Sequence, residues 1–263
     1  MWRGIYIVGE PVDDWQEKIA EVLSCCDPTA VVGRTAAAAL WGLDGFADGA
    51  APVVLVGRSA RSRLPGVCRT TCLPEAKIIR GMRVSSVMDT LIDLGAGLRS
   101  APSAFHVLTP ADRVELALES ALRKNLVVLD DVMRAVAAAP AQRPGRSVLA
   151  QVMRRRPEDA PPTESFLETR GIQVLRNAGA PDGRRQVDLF DERGRFMGRV
   201  DLVVGSTIIE FDGREHHARV GAFERDRHRW RAWQRLGYRI VPSTWVDVEH
   251  EPGPWLADVW ALL

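Results

Sequence analysis

At 263 residues, 46% hydrophobic and 26% charged, with a formal net charge of +1, the chain has the composition of a globular protein long enough for two domains with cores of their own. That balance excludes a uniformly basic nucleic-acid-coating protein, so any nucleic-acid surface must come from local clustering. No uninterrupted apolar span is long enough to cross a bilayer, and Met1-Trp-Arg-Gly-Ile-Tyr6 lacks a signal-peptide hydrophobic region, which predicts a cytoplasmic protein with no membrane partner.

In chain order, Gly4–Val8 reads as a short strand and Asp14–Leu23 as an amphipathic helix with Trp15, Ile19 and Val22 on one side. Alanine-rich Arg34–Leu43 predicts a second helix, and Pro52–Val56 and Gly66–Leu73 predict strands. Ser85 or Ser86 can cap a helix through Met88, Leu91, Ile92 and Leu94, with Gly95 placed to end it. Asp112–Lys124 and Asp130–Ala138 predict two further helices. The Pro- and Arg-rich stretch Ala139–Arg146 breaks this pattern, a short helix ends near Arg154-Arg-Arg-Pro157, and Glu158–Pro162 reads as a linker. The domains are therefore expected at 1–157 and 158–263. Cys25, Cys26, Cys68 and Cys72 match no zinc spacing and read as buried or free thiols.

The second half predicts helix, three strands, helix, strand, helix. Thr163 can cap a helix to Asn177; Arg185–Phe190, Arg195–Val204 and Thr207–Asp212 form a β-meander; Ala218–Leu236 is a long helix; Tyr238–Pro242 is a strand. Trp245–Leu263 is a partly helical tail interrupted at Pro252 and Pro254.

The chemistry concentrates in the last hairpin. Gly205-Ser206 fits a type II′ turn, which pairs Val204 with Thr207 and, stepping outward, Asp201 with Glu210. Val200, Leu202, Val204, Ile209 and Phe211 then share one face, and Asp201, Glu210 and Asp212 the other, with Arg199 opposite Asp212 and Gln186 beside Arg199. Opposed carboxylates repel unless a cation sits between them, so the three acids suit Mg²⁺ or Mn²⁺. The plain structural alternative is an exposed sheet face whose acids are balanced by Arg199. His216 and His217 follow; a histidine beside a hydrated metal can act as general base, or the pair can simply start a helix.

Phe223–Leu236 is the densest basic segment. Trp230, Trp233 and Leu236 have helical core spacing, while Arg225, Arg229 and Arg231 are placed to meet phosphates, or to form a solvated face neutralised by Glu224 and Asp226. Arg227 and Arg199 complete the set of DNA-binding candidates.

Together, the helix with Glu164 and Glu168, Arg199-Val-Asp201, Glu210-Phe-Asp-Gly213, His216-His217, Arg225-Asp-Arg227 and Leu236-Gly-Tyr-Arg-Ile240 resemble the very-short-patch-repair (Vsr) endonuclease-like group of the PD-(D/E)XK nuclease superfamily, over residues 163–250. The resemblance implies a restriction-endonuclease-like mixed sheet flanked by helices, in an α/β (α+β) chain. It implies Asp201 and Glu210 as ligands of Mg²⁺ (or Mn²⁺), Asp212 where the superfamily's lysine stands, His216 as the catalytic histidine and Glu168 as the acid of the first helix. No lysine occurs after Lys124, so a histidine or a metal-bound water must activate the nucleophile.

The first half, through Trp2-Arg-Gly-Ile-Tyr6, Arg34-Thr-Ala-Ala-Ala-Ala-Leu-Trp-Gly-Leu43 and Gly81-Met-Arg-Val-Ser-Ser-Val-Met-Asp-Thr-Leu-Ile-Asp-Leu94, resembles AbiEi-type antitoxins over residues 1–98. That implies an N-terminal α+β domain, without the winged helix-turn-helix that usually precedes the Arg-Gly-Ile-Tyr segment, and a toxin or other protein as partner. The expected function is a metal-dependent DNA endonuclease or nickase acting in DNA repair or defence. The alternative is a non-catalytic DNA-binding regulator, or an antitoxin of a type IV toxin–antitoxin system.

Overall fold

The computed structural model describes residues 15–46, 51–61, 64–99, 101–102, 107–157, 159–212 and 220–263; the side chains of 101, 102, 107 and 220–226 are not described. The predicted strand Gly4–Val8 and the pair His216-His217 lie outside the described residues. The elements are α1 (Trp15–Ser24), β1 (Val31–Val32), α2 (Arg34–Leu40), β2 (Val54–Gly57), β3 (Val67–Thr70), β4 (Ala76–Ile79), β5 (Met82–Ser85), α3 (Val87–Leu94), β6 (Ala101–Pro102), β7 (Val107–Leu108), α4 (Pro110–Arg123), α5 (Leu129–Ala138), α6 (Arg146–Arg155), α7 (Phe166–Asn177), β8 (Arg184–Phe190), β9 (Phe196–Val204), β10 (Thr207–Asp212), α8 (Val220–Arg235), β11 (Arg239–Thr244), a π-helical turn (Val246–His250) and α9 (Pro252–Leu262). Among the described residues, no helix is long and apolar enough to cross a membrane.

The chain is mixed α/β and divides into two compact units. One runs to Ser100 and resumes over Thr109–Arg155; the other joins 101–108 to Arg156–Leu263. The first is built on a mixed sheet of order β3-β2-β1-β5-β4. The hairpin β4–β5 turns on Arg80 and Gly81, both left-handed (φ 49° and 77°), which is the backbone of a two-residue type I′ turn. Ser86 caps α3 by accepting the Asp89 N–H, and Thr109 and Asp112 form a reciprocal capping box on α4, which puts its start at Pro110 rather than at Asp112. Leu91, Leu94, Val114, Leu118 and Leu149 anchor the helical core of this unit.

The second unit holds a mixed sheet of order β11-β10-β9-β8, with β10 and β11 parallel and the other neighbours antiparallel. Gly205 sits at φ 59° and Ser206 is not left-handed, as a type II′ turn requires. Leu202, Val204, Ile209 and Phe211 pack on Leu167, Val174 and Leu175 of α7 and on Trp255 and Val259 of α9. Val203 and Ile208 pack on Trp233 of α8, whose indole donates to the Met197 carbonyl at 3.1 Å. Val200 joins this second cluster and not the first. The strict alternation expected along β9 therefore slips between Val200 and Leu202, for a reason that lies at Asp201.

Two local expectations are corrected. Ser165, not Thr163, caps α7; the Thr163 hydroxyl is buried against that of Thr169 at 2.7 Å. Pro252 and Pro254 do not interrupt the C-terminal helix. They lie in its first turn, where the absent N–H groups have no intrahelical partner to lose.

One glycine sets the spacing of α7. A Cβ on Gly171 would meet Cε1 of Phe211 at 1.9 Å, and that ring is held edge-on to Trp255 at 6.3 Å. The helix thus lies flush on β10 and brings Glu168, one turn earlier, down to the sheet. Arg170, fully buried, fastens the same helix to the π-helical turn through Glu249 (Nε to Oε1, 2.5 Å). Gly171→Ala is expected to destabilise the protein by roughly 1–3 kcal/mol, the usual cost of overpacking a core; equilibrium denaturant unfolding measures it, and a neutral outcome would mean that Phe211 can turn aside.

Candidate active site

Asp201 stands where β9 parts from both of its neighbours. On one side the ladder with β10 runs through Val204↔Thr207, Val203↔Ile208 and Leu202↔Ile209 and stops there. The predicted cross-strand pair Asp201↔Glu210 is not formed as a backbone pair. Instead the Asp201 carboxylate (Oδ2) accepts the Phe211 N–H at 2.8 Å, and the Glu210 carboxylate (Oε1) accepts the Asp201 N–H at 3.3 Å. Each acid thus takes the place of a ladder carbonyl on the opposite strand. On the other side, β8 pairs Arg185 with Leu202 and Val187 with Val200, and skips Gln186. Gln186 is left-handed (φ 49°), a strained state for a non-glycine residue.

The same register corrects two neighbours. Asp188, not Gln186, lies opposite Arg199, and the Arg199 guanidinium forks onto the Asp188 carboxylate at 2.7 and 2.9 Å. Arg199 therefore neutralises β8 and not Asp212. Its side chain is still half exposed, and Asp188 is held below the usual carboxylate range by that contact.

Gln186 joins the acids into one group. Its Nε2 donates to Glu168 Oε1 at 3.1 Å and faces Asp201 Oδ1 at 3.4 Å, while its own Oε1 is buried without a hydrogen-bond partner. Glu168 is held by the start of α7: its N–H goes to the Ser165 hydroxyl at 3.0 Å, and its Oε2 accepts the Glu164 N–H at 2.6 Å. A capping glutamate is normally solvated; this one is 1% exposed. Burial pushes its carboxyl up to about 7, against the hydrogen bonds from Gln186 and Glu164, with the nearby Asp201 charge adding to the rise. Burial also raises the Asp201 carboxyl, opposed by the Phe211 N–H.

Glu168, Gln186, Asp201 and Glu210 are thus drawn together. The residue pattern alone points to the two strand acids, and Glu168 enters through the resemblance. Gln186 carries no functional signal in the sequence, because no residue type marks a left-handed backbone there. Asp212 lies exposed at the end of β10, its backbone opposite Thr244. Among the described residues no three His, Cys, Asp or Glu side chains gather at ligand spacing, so the expected trio Asp201, Glu210 and Asp212 is not assembled. His216 lies outside the described residues.

The oxygens gathered here are of the hard type that Mg²⁺ and Mn²⁺ prefer. Oxygen ligands at about 2.1 Å in octahedral array lie about 3 Å apart. The Gln186 amide already stands 3.1 and 3.4 Å from two carboxylate oxygens, and half a turn of that amide exchanges its nitrogen for the orphaned oxygen. An amide oxygen facing two carboxylates is favourable only with a cation among them.

Basic groups border the acids. Arg229 Nη2 is 3.9 Å from Glu210 Oε2, and its guanidinium lies over the Trp233 ring, 5.1 Å from the centroid. Arg227 and Arg231 are exposed one helical turn apart on α8. Arg225 is in the same helix, but its side chain is not described.

Two Mycobacterium tuberculosis proteins, each described as an uncharacterized protein (Rv2248 of strain H37Rv and MT2308 of strain CDC 1551), are 25% identical to this chain over 262 residues, spanning 96% of it and 88% of their own length. No family model matches the chain, and no solved structure does.

The raised Glu168 carboxyl has a consequence for stability. Its folded value lies above the ordinary 4.5, so between that pH and about 7 the folded chain binds more protons than the unfolded one. Its contribution is therefore full below the unfolded value and is lost as pH rises through the folded one. In metal-free buffer the native protein is expected to lose stability relative to Glu168→Gln, by at most about 1.4 kcal/mol per pH unit, across that interval. Urea unfolding of both proteins at successive pH values measures this; parallel profiles would show that Glu168 does not titrate there.

Proposed function

We propose that this protein is a metal-dependent DNA endonuclease or nickase with a restriction-endonuclease-like C-terminal unit. The observation that carries this is the group Glu168–Gln186–Asp201–Glu210, gathered where β9 leaves both neighbouring strands and bordered by Arg229. Asp201 and Glu168, with the Gln186 amide oxygen, are the residues that would hold Mg²⁺ or Mn²⁺, and Glu210 stands beside them without completing a three-carboxylate set. When bound, such an ion supplies charge neutralisation and a water of lowered pKa. The Phe211 N–H holds the Asp201 carboxylate and the Asp201 N–H holds that of Glu210, so both need little reorganisation. Arg229, braced on Trp233, is placed for a bidentate phosphate contact, and Arg225, Arg227 and Arg199 extend the basic border. Proton removal from the attacking water falls to His216 or to solvent, because no lysine follows Lys124. Repair or defence is the setting such nicking serves.

The expected result is Mg²⁺- or Mn²⁺-dependent nicking of supercoiled plasmid by the native protein. Asp201→Asn and Glu210→Ala should each lower the rate on the order of 10²–10³-fold, the scale for losing one charge-stabilising group. Activity that survives both substitutions would sink the assignment.

One observation favours a second reading, a DNA-binding regulator or antitoxin that keeps the fold as a platform. Asp201, Glu210 and Glu168 each already accept an N–H from the protein, so the group is satisfied without an ion. On this reading DNA binding needs no divalent metal and weakens with salt. Removing one phosphate-binding arginine, as in Arg229→Ala or Arg227→Ala, should lower the salt slope by about 0.9. Fluorescence anisotropy in EDTA across a salt series distinguishes the two.

A further inference from the structure

The first unit contains a cavity of about 1200 Å³ that no part of the proposed nuclease chemistry uses. It is roomier than the ~300–1,000 Å³ of common small-molecule pockets. Its walls come from the start of α2 (Arg34), β2 and the turn after it (Leu55, Arg58, Ser59), β3 and its following loop (Arg69 to Glu75), α3 (Asp89, Asp93) and the segment before α6 (Pro140, Gln142, Arg143, Pro144).

The acids are engaged: Arg143 reaches Asp93 through Nε at 2.8 Å and Asp89 through Nη2 at 2.7 Å, and Glu75 pairs with Lys77 at 2.5 Å. Arg34 and Arg58 are not engaged in this way. Arg34 has a buried Nε without a hydrogen-bond partner, and its Nη1 meets the Cys68 sulfur, a weak acceptor, at 3.6 Å. Arg34 is also left-handed, at φ 51°, an uncommon state for a non-glycine residue. Arg58 is exposed and makes no ion pair among the described residues; Arg69 uses its Nε on the Ala60 carbonyl at 3.0 Å. Between these walls lie Leu55, Leu73, Pro74, Pro140 and Pro144, flat or branched apolar surfaces suited to a ring.

The Arg34 Nε is itself sealed from solvent, so a ligand would meet the outer guanidinium nitrogens, of which Nη1 has only a weak sulfur acceptor, and the exposed Arg58; a phosphate oxygen is the acceptor that such a forked cation fits best. We propose that this cavity binds a nucleoside phosphate, with the phosphate toward Arg34 and Arg58 and the base against the proline-lined wall. A free phosphate satisfies only the first half of the site, and an uncharged nucleoside only the second. The pocket lies wholly within the first unit, so its occupancy does not depend on the nuclease reading.

The test is thermal unfolding and isothermal titration of the full chain with ATP, AMP, adenosine and inorganic phosphate. ATP or AMP is expected to raise the Tm and to bind at least tenfold more tightly than adenosine or phosphate. Arg58→Glu, an exposed position that leaves the core untouched, should lower that affinity at least tenfold, and Arg34→Gln should do the same. Glu210→Ala should leave it unchanged, which separates this pocket from the acidic site. No binding of either nucleotide by the folded protein overturns the proposal. So does affinity unaltered in Arg58→Glu, loss of binding in Glu210→Ala, or phosphate binding as tightly as ATP.

Discussion

A carboxylate stands in for a peptide carbonyl at the centre of the second unit. The Phe211 N–H would ordinarily donate to the backbone of β9; it donates to Asp201 Oδ2 at 2.8 Å instead. That exchange ends the β9–β10 ladder after Leu202↔Ile209, and it shifts Val200 to the face of Val203. It also holds Asp201 partly buried, where its charge is costly unless balanced. The neighbouring break at Gln186 turns an amide toward the same acid, and Gly171 lets α7 deliver Glu168. Four polar side chains from four segments converge because two strands depart from regularity, at Asp201 and Gln186, and one helix packs closely on the sheet at Gly171.

Such convergence is what a reactive site requires and what a stable core avoids. A buried acid raised to about 7, an orphaned amide oxygen and a left-handed glutamine each cost free energy. The compensation comes from conventional packing around them: Trp233 and Ile208 beneath the sheet, Phe211 and Trp255 above it, and the buried Arg170–Glu249 contact. On the proposed reading, a divalent cation among the oxygens would offset the buried acid and the orphaned amide oxygen, while the left-handed Gln186 backbone stays as it is.

Much of the scaffold is legible in the sequence. Hydrophobic periodicity places the helices and the meander, and the Gly205-Ser206 turn predicts three correct cross-strand pairs. The pattern misleads at its fourth step, because alternation assumes a ladder that continues, and Asp201 breaks it. The placement of Gln186 beside Arg199 fails because a longer connection fixes register less firmly than a two-residue turn: β8 shifts by one between Leu189 and Phe190, and Asp188 falls opposite Arg199. The strands β4 and β5 escape because Arg80-Gly81 is a weak turn signal. Pro252 and Pro254 read as breakers when they are helix starters. Sequence order cannot show which of these positional alternatives a proline takes.

The interruption at Asp201 is proposed to create an oxygen-lined cation site. Anomalous diffraction from a crystal grown or soaked with Mn²⁺ tests it without reference to any substrate. A peak is expected within ligand distance of Asp201 and Glu168, with the Gln186 amide turned so that its oxygen faces the ion. A well-ordered site with no peak, or a peak that leaves Asp201 uncoordinated, would contradict it.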